Sequence, residues 1–374
     1  MKYLYSKFML IAFSGLIVVS CISQSATPNT PSNTVDVINT PKPSSTVSDA
    51  PISTFTQTPV LLETPSTNDE SIQHALVSPN GKIVVFIISK SLYVYDLELL
   101  EVIYFIDIKA DIGSVVISPD GQALVIGTQE KMLVYSLNEG TLITTINKSV
   151  TNLAFSPDGQ KIAIGMGDWK QCNGGYSLEV WQVSNWSLLQ TLPMTNELDC
   201  ISGLVFSPSG KFLAASAFEI LVWEIGGKSS KLKFRSWGCD IFEGSLAFTA
   251  NEKTLIAGTM ADSGRNVICL LSLFNGEILG IVDKANKSDY SCRSEVLASP
   301  DGQFMASNLD GKVTIWQTEV WKQIHSVNIE GNCSHLTGWF YDGSTITFLL
   351  PDGSLQFLNA QTGQITNSVN LKKP

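Results

Sequence analysis

The residue types best suited to chemistry in this 374-residue chain are seven cysteines, three histidines and a scatter of carboxylates. Beyond Cys21 come Cys172, Cys200, Cys239, Cys269, Cys292 and Cys333. An even set of thiols in an exported domain favours disulfides, although spacing alone leaves many pairings open. Metal ligation is the poorer use of them. No Cys-x-x-Cys spacing occurs, and His74 and His335, even if neighbours, lack a third ligand. His325 stands apart from both. Gly-x-Ser-x-Gly elbows, phosphate loops and His-Glu-x-x-His motifs are all missing. Asp168, Glu197, Asp199, Asp240, Glu243, Asp262, Asp283, Asp289 and Glu295 lie in long segments between apolar runs. Nothing spaces them as a glycosidase pair or a calcium loop, so they read as a solvated rim. No cofactor and no metal is implied.

The elements that position these residues announce themselves through one recurring turn. It occurs as Ser78-Pro79-Asn80-Gly81, Ser118-Pro119-Asp120-Gly121, Ser156-Pro157-Asp158-Gly159, Ser207-Pro208-Ser209-Gly210 and Ser299-Pro300-Asp301-Gly302. Decayed versions start at Thr249 and Phe340, and successive starts lie 40, 38, 51, 42, 50 and 41 residues apart. Proline presets φ, Asp bonds the backbone beyond it, and Gly supplies the positive φ that closes a hairpin. Apolar runs flank each turn. Ile83 to Ile88 is apolar without alternation, as a strand covered on both faces must be. A period of about 40 residues with four short strands per unit predicts an all-β fold: a single seven-bladed β-propeller of four-stranded antiparallel blades over residues 72–374. Each unit, including the last, has its own outer strand, Gly363 to Leu371 serving blade seven.

The third strands carry an aromatic-plus-polar signature: Tyr93-Val94-Tyr95-Asp96, Leu133-Val134-Tyr135-Ser136, Val180-Trp181-Gln182, Val222-Trp223-Glu224, Leu271-Ser272, Ile315-Trp316-Gln317 and Phe357-Leu358. With the Ser-Pro-Asp-Gly turns, this pattern resembles WD40 repeats over about residues 72 to 370. The resemblance implies a scaffold for binding other molecules. Two departures weaken the carry-over of partners: only Tyr95-Asp96 approaches the Trp-Asp dipeptide, and the Gly-His dipeptide is missing. The rival resemblance is to lactonase-like or TolB-like propellers. The lactonase-like resemblance implies a hydrolase with a divalent metal in the central channel.

The N-terminus has a separate logic. Lys2 and Lys7 precede the apolar stretch Phe8 to Val19, which is too short to span a bilayer comfortably. Val18-Val19-Ser20-Cys21 follows and resembles a bacterial lipobox, which implies a signal peptide at 1–20, acylation of Cys21 and a lipid anchor in the cell envelope. Stable anchoring needs more than one acyl chain, which a lipoprotein's diacyl or triacyl group supplies. Residues 21–71 hold seven of the 15 prolines, many Ser and Thr, and no Gly. Such a stretch cannot bury enough apolar surface to offset its ordering entropy, so it predicts a disordered tether.

Composition narrows the partners. A net charge of −10 argues against nucleic acid and anionic membrane surfaces. Apolar content of 44% against 16% charged is ample for a large core. In a blade with strands a to d counted outward, Cys172 falls between b and c, whereas Cys200, Cys239, Cys292 and Cys333 fall between d and the next a. Both connections leave the same face, and Cys269 lies near it. This favours Cys172–Cys200, Cys239–Cys269 and Cys292–Cys333. Insertions at Asp168 to Tyr176 and Asp283 to Cys292 emerge there too, and Asp168, Trp169, Tyr176, Trp237, Phe242 and Tyr290 form a candidate binding face. The expectation is a monomeric, membrane-anchored binding or scaffold protein for an envelope protein, peptide or glycan.

Overall fold

The computed structural model describes residues 71–167, 177–192, 201, 203–216, 220–226, 231–236, 240–260, 266–284, 294–309, 311–329 and 334–372. All belong to the second of two compact units, Leu61–Pro374. The signal, Cys21 and most of the tether therefore lie outside the described residues.

Seven four-stranded antiparallel sheets follow one another along the chain, each a simple meander. Blade 1 comprises β1 (His74–Val77), β2 (Ile83–Ile88), β3 (Ser91–Asp96) and β4 (Glu101–Asp107). Blade 2 comprises β5 (Ile112–Ile117), β6 (Ala123–Thr128), β7 (Met132–Ser136) and β8 (Leu142–Ile146). Blade 3 comprises β9 (Asn152–Phe155), β10 (Lys161–Met166), β11 (Ser177–Gln182) and β12 (Ser187–Leu192). Blade 4 comprises β13 (Gly203–Phe206), β14 (Phe212–Ser216), β15 (Ile220–Glu224) and β16 (Lys231–Ser236). Blade 5 comprises β17 (Asp240–Phe248), β18 (Thr254–Met260), β19 (Asn266–Ser272) and β20 (Ile278–Lys284). Blade 6 comprises β21 (Glu295–Ala298), β22 (Phe304–Leu309), β23 (Lys312–Gln317) and β24 (Lys322–Asn328). Blade 7 comprises β25 (His335–Trp339), β26 (Thr345–Leu349), β27 (Ser354–Asn359) and β28 (Ile365–Asn370). The chain is thus a seven-bladed propeller, and no helix occurs among the described residues.

The turn chemistry explains why all seven inner hairpins form. In six of them the hydroxyl of the first residue accepts the backbone N–H five residues on, at 2.8–3.2 Å. The residue two places on, Asn80, Asp120, Asp158, Asn251, Asp301 or Asp342, accepts the N–H two residues beyond itself at 2.9–3.0 Å. At Asp158 burial raises the carboxyl pKa, but bonds from Ser156 and Gln160 and the charge of Lys161 outweigh it and hold the group low. The decayed turns keep this geometry. Thr249 replaces Ser, Asn251 replaces Asp, and Glu252 itself adopts the left-handed conformation at φ 52. Phe340 has no hydroxyl, yet Gly343 closes the turn onto its carbonyl at 2.9 Å. Backbone closure survives where the side-chain signature does not.

Packing runs between blades. Val84, Phe86 and Ile88 of β2 join Leu349, Leu355 and Phe357 of blade 7, whereas Ile83, Val85 and Ile87 join Leu124 and Ile126 of blade 2. Alternate residues of one strand therefore feed two different cores, which is why the run shows no polar alternation. Each of the seven blade–blade seams has its own cluster, the seam between blades 7 and 1 included. Full burial of side chains such as Phe86 and Val84 contributes about 1.5–3 kcal/mol each before entropy is counted. The ring closes on its own blades. The Tyr341 N–H donates to the Pro79 carbonyl at 2.7 Å across the closing seam.

Candidate functional site

The two faces of the ring differ in how they are built. Every a–b turn is five residues long (78–82, 118–122, 156–160, 207–211, 249–253, 299–303, 340–344), and c–d turns vary only from four to six. On the opposite face the b–c connections run from two residues at 89–90 to ten at 167–176, and the d–a connections from three at 237–239 to ten at 193–202 and 285–294. Uniform turns serve the hairpins, whereas variable connections are free to serve recognition. The sequence attributes the wide third repeat to the insertion at 168–176 alone; the strand bounds give ten residues each to 167–176 and 193–202.

Asp168, Trp169, Cys172 and Tyr176 belong to connection 167–176, and Cys200 belongs to 193–202. Trp237 and Cys239 belong to 237–239, Tyr290 and Cys292 to 285–294, and Cys333 to 329–334. All of these residues lie outside the described residues. Phe242, expected in a loop, stands instead in β17, together with Asp240 and Glu243. That strand is nine residues long because its register slips between Asp240 and Ser245, which carries extra chain into the start of an inner strand. Asp283 likewise belongs to β20, so the second insertion begins after Lys284. Cys269 lies mid-strand in β19, 2% exposed within the core between blades 4 and 5, and is disulfide-bonded to a cysteine outside the described residues.

Two polar clusters of the described residues support this face. The first lies between β11 and the connection from β8 to β9. Glu179 of β11, with its side chain 8% exposed, receives both of its Lys148 contacts at 2.7 and 2.9 Å, and Trp181 Nε1 donates to it at 2.7 Å. The Lys148 ammonium also lies 5.5 Å from the Trp181 ring centroid. Ser149 donates to the Gly167 carbonyl at 3.0 Å, tying the start of the insertion to the connection between blades 2 and 3. No sequence motif marks this ion pair, since its members lie 31 residues apart.

The second cluster stands where inner strands begin. His335 Nδ1 lies 2.7 Å from Glu295 Oε1, and the Leu336 N–H donates to Glu295 Oε2 at 2.6 Å. The His74 and His335 rings approach to 5.9 Å between centroids. The sequence places these two histidines together but counts Glu295 among rim acids; it is instead the first residue of β21, bridging blade 6 to blade 7. Its neighbour across the ladder, Asn308, donates to the Ser334 carbonyl. A carboxylate against Nδ1 orients an imidazole and favours a proton there. Among the described residues no group of three or more His, Cys, Asp or Glu side chains is arranged to hold a metal ion. His325 lies elsewhere, on β24, with Nε2 2.6 Å from the Gln361 carbonyl of blade 7.

No family model matches the chain, and no curated protein matches it. Among solved structures it is similar to the computationally designed Ika8 protein, at 17% identity and a TM-score of 0.57, over 80% of this chain and 87% of that one. At that identity the likeness concerns the fold alone.

Proposed function

We propose that this propeller is a non-catalytic binding module, lipid-anchored through Cys21 outside the cytoplasm of a bacterium. Its variable face receives an envelope protein, peptide or glycan. The observation that supports this reading most is the asymmetry of the connections: five-residue turns on one face, two- to ten-residue connections on the other. Aromatic side chains at Trp169, Tyr176, Trp237 and Tyr290 would supply the contact area, in the manner of interface anchors. Phe242 would add to them from the start of an inner strand. The pairings Cys172–Cys200, Cys239–Cys269 and Cys292–Cys333 would restrain the same loops, lowering the entropy lost on binding. WD40-like architecture suits this use, because a ring of short loops on a rigid frame is a general recognition platform.

A photocrosslinking side chain placed at Trp169, Tyr176 or Tyr290 of the full-length protein in its native envelope tests the reading. Discrete adducts to one protein or glycan are expected from these positions and not from Leu188 on the rim. Equal labelling from both sets, or none from the variable face, would sink it.

A further inference from the structure

The uniform face has a distinct character of its own. Among the described residues the five most exposed large apolar side chains are Phe274 (87%), Tyr341 (76%), Leu99 (63%), Val320 (62%) and Leu100 (61%). Leu99 and Leu100 lie in the c–d turn of blade 1, Phe274 in that of blade 5 and Val320 in that of blade 6, while Tyr341 lies in the a–b turn of blade 7. All five therefore occupy one face, on four blades that are consecutive around the ring. Other exposed apolar residues, such as Leu188 and Leu189, belong to the outer strands and form the rim instead.

Charge on the a–b and c–d turns of these four blades is one-sided. They carry Glu98, Glu252, Glu277, Asp301, Glu319 and Asp342 against only Lys82 and Lys253. Lys82 is already paired with Glu98 at 2.8 Å. Asp342 is held below the usual carboxylate range by the backbone N–H and hydroxyl of Ser344, so it stays ionised under mild acid. An anionic lipid surface would be repelled by this excess, and so would the same face of a second copy. Exposed apolar side chains and unbalanced carboxylates on the same turns fit a partner with apolar and basic groups together.

We propose that the a–b and c–d turns of blades 5, 6, 7 and 1 dock a basic, amphipathic polypeptide segment of another protein. Its apolar side chains meet Leu99, Leu100, Phe274, Val320 and Tyr341, and its Lys and Arg meet the surrounding carboxylates. The two faces would then serve different partners, and loss of one function would leave the other intact.

The test is a fluorescence-anisotropy titration of the full-length protein with a labelled amphipathic peptide of Leu and Lys. Saturable binding is expected, weakening as salt rises because the paired charges are exposed. The combined Phe274→Ser, Val320→Ser and Tyr341→Ser variant should lose at least about tenfold in affinity, as hot-spot removal does. Glu277→Lys with Glu319→Lys should lose a similar factor, and Leu188→Ser with Leu189→Ser should change nothing. Binding indifferent to the three apolar changes would reduce the effect to general charge attraction and overturn the proposal. Two further results would also overturn it. One is flotation on anionic phospholipid vesicles without peptide that depends on these three residues; the other is self-association that depends on them.

Discussion

Replacing Lys148 by Met should destabilise the propeller more than replacing its partner Glu179 by Gln. The asymmetry comes from burial: the Glu179 side chain is 8% exposed, that of Lys148 31%. Lys148→Met strands a buried carboxylate with Trp181 Nε1 as its remaining named donor, and it also removes an ammonium 5.5 Å from the indole ring. Breaking a buried pair from one side costs about 3–5 kcal/mol; partial exposure of the lysine brings the estimate to about 3. Glu179→Gln retains an acceptor for Trp181 and frees an ammonium that can reach water, so its cost should be about 1 kcal/mol. The double variant leaves no buried charge and should be more stable than Lys148→Met alone by about 1–2 kcal/mol. Urea denaturation followed by tryptophan fluorescence reads all three variants on one scale. If the double variant proves less stable than Lys148→Met, desolvation of the carboxylate is not what the pair relieves, and the reasoning fails.

Two other perturbations probe the turns. Gly302→Ala should cost clearly more than Gly210→Ala, by about 1–3 kcal/mol in urea denaturation, because both glycines have left-handed φ but only at Gly302 would a Cβ meet neighbouring backbone, 2.6 Å from Ala250 N; equal losses would show that adjacent turns do not abut. Acid should weaken the ring through Asp342 and Asp352, whose folded-state pKa values are lowered mainly by bonds from Ser344 and Ser354. Groups with depressed folded pKa give their full stabilisation above the unfolded carboxylate range, near pH 4, and lose it as pH falls through their lower folded values. Asp342→Asn with Asp352→Asn should therefore flatten the decline in urea midpoint below about pH 4, and an unchanged slope would refute the assignment.

The architecture was legible because the information lies within five residues. Ser78 to Lys82 contains its own hydroxyl acceptor, its own capping amide and its left-handed glycine, so the turn can be read without knowing its neighbours. Even the decayed turn at Thr249 kept two of these three parts, and its strands followed. Features that depend on blades meeting were less visible. Glu295 reads as one acid among many until β21 is set beside β25, and Lys148 finds Glu179 across 31 residues. Phe242 was misplaced for a different reason: a register slip is set by which pairs bond, and between Asp240 and Ser245 only Gly244 is of a type that hints at one. The variable face is legible only as length, since nothing periodic governs a loop.

The seam between blades 7 and 1 has a consequence for biosynthesis. Blade 1 leaves the ribosome first, and one of its faces, with Val84, Phe86 and Tyr93, waits for Leu349, Leu355 and Phe357 of the last blade. At roughly 5–20 residues per second the intervening chain takes on the order of 10–50 s to emerge. Until then the growing arc has two bare apolar ends, at blade 1 and at whichever blade is newest. Only the final blade removes both at once, so loss of β26 and β27, which carry Leu349, Leu355 and Phe357, would leave a sticky, unclosed arc rather than a smaller ring.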